Sequence, residues 1–189
     1  MCVRVVQVDE RIVDPGDPFY EVPEFHHEEW TPVEVRAFPV RVSVQDMAEN
    51  NVDFAHFQFV HGTQSIPEDD FMVDGTYKRT TSAGGALIRE GFGLGLGVLR
   101  VKDFVTFVSS TTPIDEDSVL VRWIFSVPKK NGPDALQQAA DLFCSAVSQD
   151  IPIWENKVYR DPPPITKTEK MILEQRRWAR QFYSALDAE

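Results

Sequence analysis

The sequence has little cysteine, no long apolar run and an excess of acidic over basic residues. Its two cysteines, Cys2 and Cys144, cannot build a disulfide framework, which indicates a reducing compartment. No stretch approaches the ~18 apolar residues that a membrane-spanning helix needs. The first residues, "MCVRVVQVDE", lack the basic and then apolar pattern of a secretory signal. We therefore expect a cytoplasmic protein that does not enter a membrane.

The formal net charge of -11 excludes two classes of partner. Nucleic acid and anionic membrane surfaces would both be repelled by a strongly acidic protein. An acidic surface can serve solubility or docking to a basic protein, and general surface composition favours solubility.

The length and composition indicate one globular domain after a short lead-in. The chain has 189 residues, of which 42% are hydrophobic, enough for a sizeable core. Residues 1–32 are rich in Pro, Asp and Glu and predict an irregular lead-in. Residues 33–189 are predicted to form the domain. Cys144 falls in an apolar helical pattern and is predicted to be a buried small side chain.

The first half of the domain has the alternating pattern of β-strands. Val33–Val44 alternates apolar and polar residues with a phase shift at Pro39, which predicts an edge strand with a bulge. "FMVDGTYKRTTS" and "GALIREGFGLGLGVLRV" predict antiparallel ribbons, and "FVTFVSSTTPIDEDSVLVRWIFSVP" predicts a hairpin. In the second arm of that hairpin one face is apolar: Val119, Val121, Trp123, Phe125 and Val127.

The period changes to that of an α-helix after Pro133. Apolar residues then recur every three or four positions, which predicts a long helix that "RDPPP" ends. A last helix is predicted over about Thr166 to Leu186. Strands followed by helices predict an α+β domain, with an antiparallel sheet wrapped on the long helix and a cavity between them for an apolar ligand. The predicted face of the long helix is Leu136, Ala140, Phe143, Val147, Ile151, Trp154 and Val158.

The segment "NNVDFAHFQFVHG" places Asp53, His56 and His61 close together in a helical stretch. Asp53 and His56 are three residues apart and project from nearly the same side of a helix. His61 would lie about 140° around the helix from His56. Both histidines can therefore reach one metal only if the helix ends or bulges between them, and Gly62 is a residue that favours such an end.

Two imidazoles need a carboxylate to form the 2-His-1-carboxylate triad that holds Fe(II) and leaves positions open for O2 and substrate. Asp150 is the candidate, because it falls on the apolar face of the long helix, where an unpaired carboxylate is costly to bury. Pro152 is predicted to distort the turn around it. Glu155 is close in sequence but lies off the centre of the apolar face.

The run "GFGLGLG" and the phenylalanines around the histidines are less specific signals. The glycines alternate and do not form a G-x-G-x-x-G phosphate loop; they predict a strand with one bare face that a ligand or helix can approach closely. Phe54, Phe57, Phe59, Trp123 and Phe125 are candidate walls of a ligand pocket, although plain core packing accounts for most of them.

The histidine segment resembles the D-x2-H-x4-H motif of Rieske non-haem iron oxygenases. The particular pattern is similar to the oxygenase component of 3-ketosteroid 9α-hydroxylase, over nearly the whole chain from about Trp30. Further segments carry the same resemblance in the same order: "STTPIDEDSVLVRWIFSVP", "SQDIPIWENKVYRDPPP" and "EQRRWARQFY".

The resemblance implies a role for each candidate residue. His56, His61 and Asp150 match the ligands of a mononuclear Fe(II), and Asp53 matches an aspartate that bridges to the Rieske cluster of a neighbouring subunit. It implies a helix-grip fold of the START/Bet v 1-like kind and a homotrimer. The chain lacks the C-x-H and C-x2-H pairs that hold a [2Fe–2S] cluster, so we expect none in it. It is either a catalytic-domain fragment or a free-standing version served by a separate Rieske protein, unless the chemistry has been lost.

The predicted function is that of an oxygenase catalytic domain that hydroxylates an apolar, steroid-like substrate with O2. The electrons would come from a Rieske or ferredoxin-type donor in trans. The alternatives are a non-catalytic domain that binds a steroid or lipid, since fold does not decide function, and a regulatory or structural subunit of a larger oxygenase assembly.

Overall fold

The computed structural model describes residues 20–62, 69–166 and 170–183, and for Phe54, Phe57 and Asp69 it describes the backbone alone. Residues 1–19, which hold most of the predicted lead-in, lie outside the described part. Within the described ranges, no helix combines the length and the apolar character needed to cross a membrane.

Seven antiparallel strands form one sheet with the order β1-β7-β6-β5-β4-β3-β2. Every strand except β1 pairs with the strand that follows or precedes it in sequence, so hairpins build most of the sheet. The predicted ribbons and hairpin are therefore confirmed, as is the α+β class. The strands are β1 (Glu34–Val40), β2 (Asp69–Asp74), β3 (Tyr77–Ser82), β4 (Leu87–Phe92), β5 (Leu96–Val101), β6 (Val105–Pro113) and β7 (Val119–Ser126).

Strand β1 lies at the edge of the sheet, as predicted, but without a bulge. Its pairing with β7 runs in one register from Glu34 opposite Phe125 to Val40 opposite Val119, and Pro39 faces Leu120 within it. The predicted bulge is wrong because an edge strand can accommodate a proline whose missing N–H falls on the unpaired side. The change of pattern after Val40 instead marks the end of the strand.

Four α-helices complete the described part of the chain: α1 (Val44–Glu49), α2 (Phe54–Phe59), α3 (Ala135–Asn156) and α4 (Lys170–Ala179). Helix α1 begins where Ser43 accepts a hydrogen bond from the backbone N–H of Asp46. Helix α3 continues through Pro152 and ends at Asn156, so the predicted extension to Val158 is wrong, and Val158 is exposed. Helix α4 is shorter than predicted and continues as a single 3-10 turn.

The core lies between α3 and the β1, β7 and β6 end of the sheet. One cluster joins Val40, Val119 and Val121 of the sheet to Val147 and Trp154 of α3. A second cluster packs the aromatic side chains of β6 and β7 against the start of α3. Most of the predicted helix face is thus confirmed, whereas Cys144 is only half-buried. The members of the second cluster are Val105, Phe107, Phe125, Val127, Ala139 and Ala140.

A buried ion pair fastens α4 to the rest of the domain. Arg176 of α4 donates from Nε to Glu49 Oε1 at 2.7 Å and from Nη2 to Glu49 Oε2 at 3.1 Å. Lys157, just after α3, lies 3.0 Å from the same carboxylate and 2.9 Å from Asp46. Glu49 therefore joins α1, the end of α3 and α4 at one buried point.

We expect Glu49→Gln to lower the free energy of unfolding by about 3 kcal/mol, because it leaves the buried Arg176 guanidinium without its carboxylate. Urea unfolding followed by circular dichroism measures this change. Asp141→Asn is the matched control, since the Arg36–Asp141 pair is largely exposed and should contribute less than about 1 kcal/mol. Equal losses in the two variants would contradict a central role for Glu49.

Candidate metal centre and adjoining cavity

Helix α2 is placed by a cap at its start and a break at its end. Asp53 is the N-cap, and its side chain accepts a hydrogen bond of 3.3 Å from the backbone N–H of His56. The helix ends at Phe59, and Gly62 has a φ of +69°, a conformation that favours glycine. The prediction that the helix ends between the two histidines is confirmed. Sequence reasoning missed the capping role of Asp53.

His56, His61 and Asp150 converge although they come from two distant parts of the chain. One potential ligand atom from each lies within 4.8 Å of the other two. His61 Nε2 is 3.4 Å from Asp150 Oδ2, and the two imidazole centroids are 5.0 Å apart. Ligand atoms about 2.1 Å from one first-row metal ion lie at most about 4.2 Å apart. The observed separations are close to that requirement. Among the described residues, Glu155 does not join this group.

The Nδ1 atom of each histidine ring has a hydrogen-bond partner. His56 donates from Nδ1 to the backbone carbonyl of Asp53, and His61 donates from Nδ1 to Gln149 Oε1 at 3.4 Å. Such bonds fix the tautomer and orientation of a metal-binding histidine, and here they assign Nε2 of each ring as the metal ligand. Asn50 Nδ2 lies 3.5 Å from His56 Nε2. Sequence reasoning missed Gln149, whose position next to Asp150 does not identify it as a partner of His61.

Burial shifts two of the three groups toward their neutral forms. Burial lowers the pKa of His56 below its ordinary value, against the opposing effect of Asp53 and Asp150. Burial likewise raises the pKa of Asp150, against the opposing effect of His61 and His56. A bound cation would reverse the shift at Asp150, because it stabilises the charged carboxylate directly. Two imidazoles and one carboxyl group therefore face each other in a site where burial favours the neutral forms of His56 and Asp150.

A cavity of about 220 Å³ lies between the helices and the inner face of the sheet, and the three converging residues form part of its wall. Its apolar wall comes mainly from the sheet and α3. The predicted cavity between sheet and helix is present in the described structure. Representative apolar wall residues are Phe38, Leu99, Phe107, Trp123, Phe143 and Trp154.

Four glycines of the "GFGLGLG" run line the cavity: Gly91, Gly93, Gly95 and Gly97. The prediction of a single strand is wrong, because residues 93–95 form the turn between β4 and β5. The bare face is nevertheless required at Gly95, where a Cβ atom would lie 2.6 Å from the backbone oxygen of Thr111. Glycine at these positions brings the backbone itself to the cavity wall.

We expect Gly95→Ala to lower the free energy of unfolding by about 1–3 kcal/mol, because the added methyl group overlaps a backbone oxygen that cannot turn away. Chemical denaturation measures the loss. Gly97→Ala is the matched control, since its Cβ would meet the oxygen of Glu90 at 3.1 Å and should cost less. A larger loss in Gly97→Ala would contradict this ranking.

The predicted aromatic walls separate into different environments. Trp123 lines the cavity, whereas Phe125 is fully buried in the core and Phe59 is 78% exposed. The prediction that Phe59 forms a cavity wall is therefore wrong, because its side chain, at the end of α2, is exposed on the surface. The side chains of Phe54 and Phe57 lie outside the described residues.

Comparison by sequence matches one family over most of the chain. Residues 12–183 match the family described as the 3-ketosteroid 9α-hydroxylase C-terminal domain. No curated protein matches the chain.

Comparison by structure finds the same fold in NdmA of Pseudomonas putida CBB5, with a TM-score of 0.71 and 16% identity, over 92% of this chain and 55% of NdmA. Dicamba monooxygenase bound to dicamba gives a TM-score of 0.61 and 11% identity over 92% of this chain and 64% of its own. The quaternary ammonium Rieske monooxygenase CntA, in complex with L-carnitine, gives a TM-score of 0.63 and 7% identity over 83% of this chain and 50% of its own. The chain spans about half the length of NdmA, and identities this low establish the fold alone.

Proposed function

Because this chain belongs to the family of 3-ketosteroid 9α-hydroxylase C-terminal domains, the catalytic domains of Rieske oxygenases, we propose that it is the iron-binding and substrate-binding part of an oxygenase. The observation that carries the proposal is the convergence of His56, His61 and Asp150 at the wall of a largely apolar cavity. Either feature alone would be common. Their adjacency is what an oxidation of a bound organic molecule requires.

The donor set fits mononuclear Fe(II). Two imidazole nitrogens and one carboxylate form the facial triad that non-haem iron oxygenases use. We propose His56 Nε2, His61 Nε2 and an Asp150 oxygen as the three ligands, with the hydrogen bonds to the Asp53 carbonyl and to Gln149 orienting the rings. When bound, the iron would supply the activation of O2 for hydroxylation of a C–H bond.

The chain's own residues would bind and orient the substrate and keep water out. The apolar wall formed by Trp123, Phe107 and Phe143 supports an apolar substrate body, and the family description supports a steroid-like one. The structurally similar proteins bind caffeine, dicamba or L-carnitine. The fold is therefore compatible with different ligands.

We also propose the remaining features that the family resemblance implies. These are a Rieske or ferredoxin-type electron donor in trans, a homotrimer, a cytoplasmic location, the helix-grip description of the fold and a domain that begins at residue 33. Asp53 would mediate electron transfer to the iron, and the hydrogen bond between its backbone carbonyl and Nδ1 of the proposed ligand His56 supports this role.

The test is anaerobic reconstitution of the purified protein with Fe(II), followed by metal analysis and a turnover assay. We expect about one iron per chain and hydroxylation of a member of a sterol panel when a Rieske reductase system is supplied. Absence of bound iron would overturn the oxygenase proposal.

The second candidate is a non-catalytic domain that binds a hydrophobic ligand. The cavity favours it, because an apolar enclosure beneath the sheet can hold a ligand without a metal. Ligand binding that persists while iron binding fails would support this alternative.

A further inference from the structure

The inner face of the sheet is most polar at the end formed by β3 and β4, which is also one end of the cavity wall. Lys78, Thr80 and Ser82 alternate along β3 toward the inside, with exposures of 6%, 4% and 2%. Lys78 and Thr80 line the cavity together with Arg89 of β4. An inward face made only of polar residues is unusual for a buried strand and requires a binding or structural reason.

Lys78 is a buried basic group whose described partners are both uncharged. Its Nζ donates to Gln175 Oε1 at 2.8 Å and lies 4.8 Å from the centre of the Trp178 ring. Both partners are neutral, and within the described ranges no carboxylate forms an ion pair with this ammonium group. A lysine ammonium has three donors. Burial of a charge is costly without an opposite charge.

A row of paired residues on neighbouring strands runs from Lys78 to the apolar end of the cavity. Lys78 is opposite Gly91, Gly91 is opposite Gly97, Gly97 is opposite Ser109, and Ser109 is opposite Trp123. Directly opposite residues of an antiparallel sheet share a face. The Lys78 side chain lies across Gly91, where an added Cβ atom would come within 2.6 Å of Lys78 Cε. Gly97, which has no side chain, then leaves a short trough between Lys78 and the Ser109–Trp123 pair.

The two ends of this trough differ in chemistry. Trp123 donates to Ser109 Oγ at 3.0 Å, which satisfies the indole N–H and leaves the ring as an apolar surface. Phe107 and Phe143 extend that surface. A ligand that lies along the trough would place an apolar body over the aromatic end and a polar group at Lys78.

We propose that the ligand of this cavity is amphipathic, with an apolar body and a carboxylate that Lys78 binds. This inference rests on the proposed function in one respect, namely that the cavity is the substrate site. A carboxylate would both accept the remaining ammonium donors and supply the missing negative charge, whereas a neutral carbonyl would do only the first. Lys78 is thus a specificity-determining residue.

The experiment compares a steroid that carries a side-chain carboxylate with its primary amide, which has nearly the same shape without the charge. Binding to the full chain is measured at pH 6, below the pKa of about 7 to which burial lowers Lys78, so that its ammonium form prevails. Quenching of tryptophan fluorescence reports binding, because Trp123 and Trp154 line the cavity, and equilibrium dialysis checks it. We expect the wild-type protein to bind the acid about tenfold more tightly than the amide, the effect of one charge-assisted hydrogen bond.

Lys78→Met is expected to remove the preference for the acid while leaving amide binding within about twofold, and Lys78→Gln is expected to do the same if the methionine variant folds poorly. Lys130→Met is the matched control, because Lys130 is exposed and pairs with Asp103 away from the cavity. If Lys78 only fastens α4 through Gln175, its replacement should lower the unfolding midpoint and weaken both ligands equally, which would overturn the inference.

Iron content, measured on the same samples, separates this inference from the proposed function. Normal iron loading with no preference for the acid, or with no binding of either ligand, would overturn the inference alone. A clear preference for the acid in a protein that binds no iron would support the inference and contradict the oxygenase proposal.

Discussion

Asp150→Ala is expected to reduce the iron content from about one per chain to a small fraction of that value. Three protein ligands hold the ion in a facial triad, and loss of the only charged ligand removes both a bond and the compensating negative charge. The measurement is metal analysis after anaerobic reconstitution and desalting. His56→Ala is expected to have the same effect, since the His56 ring lies in the same group.

Two matched controls sharpen this test. Glu155→Ala removes the other nearby carboxylate of α3, which does not reach the group of three among the described residues, and should leave the iron content unchanged. His27→Ala removes an exposed histidine that does not line the cavity and should also have no effect. Full retention of iron in Asp150→Ala, together with its loss in Glu155→Ala, would show that the third ligand has been assigned wrongly.

Asp53→Asn is expected to retain iron and to lower turnover with a supplied Rieske donor by about 10- to 100-fold, the usual cost of changing a residue that contacts a metal ligand. The amide keeps an oxygen that can accept the backbone N–H of His56, so helix α2 should keep its cap. It loses the negative charge that the proposed electron transfer uses.

Asp53→Ala, compared with Asp53→Asn, distinguishes the effect of losing the helix cap from the effect of losing the negative charge. We expect the same loss of turnover as in the asparagine variant, with an additional loss of about 1 kcal/mol in the free energy of unfolding from the missing cap. Iron content and chemical denaturation are measured beside turnover. Unchanged turnover in Asp53→Asn would restrict Asp53 to the structural role that its hydrogen bond already gives it.

Local patterns predicted the elements of the domain because those patterns report which side of a segment is buried. The alternation in β7 and the spacing of Ala140, Val147 and Trp154 each follow from one apolar face on one element, and both faces are buried as expected. The same reasoning failed at Pro39 and Val158. An edge strand can accommodate a proline without a bulge, and a helix can end before its apolar pattern does.

Part of the candidate site could also be predicted from the sequence. The break before His61 follows from Gly62, and the placement of Asp150 on an apolar helix face follows from its spacing, because both are properties of single segments. Gln149 as the partner of His61 could not be predicted, since that contact joins residues 88 positions apart.

Local sequence patterns were therefore enough to identify most of the elements, the family and the side chains that suit a metal. Which of these side chains meet depends on the folded domain, because the sheet register and the packing of α3 bring distant segments together. The tertiary structure placed Asp150 beside His61 and aligned Lys78 with two glycines across neighbouring strands. Long-range contacts of this kind depend on the packing of the whole domain, and no short stretch of sequence encodes them.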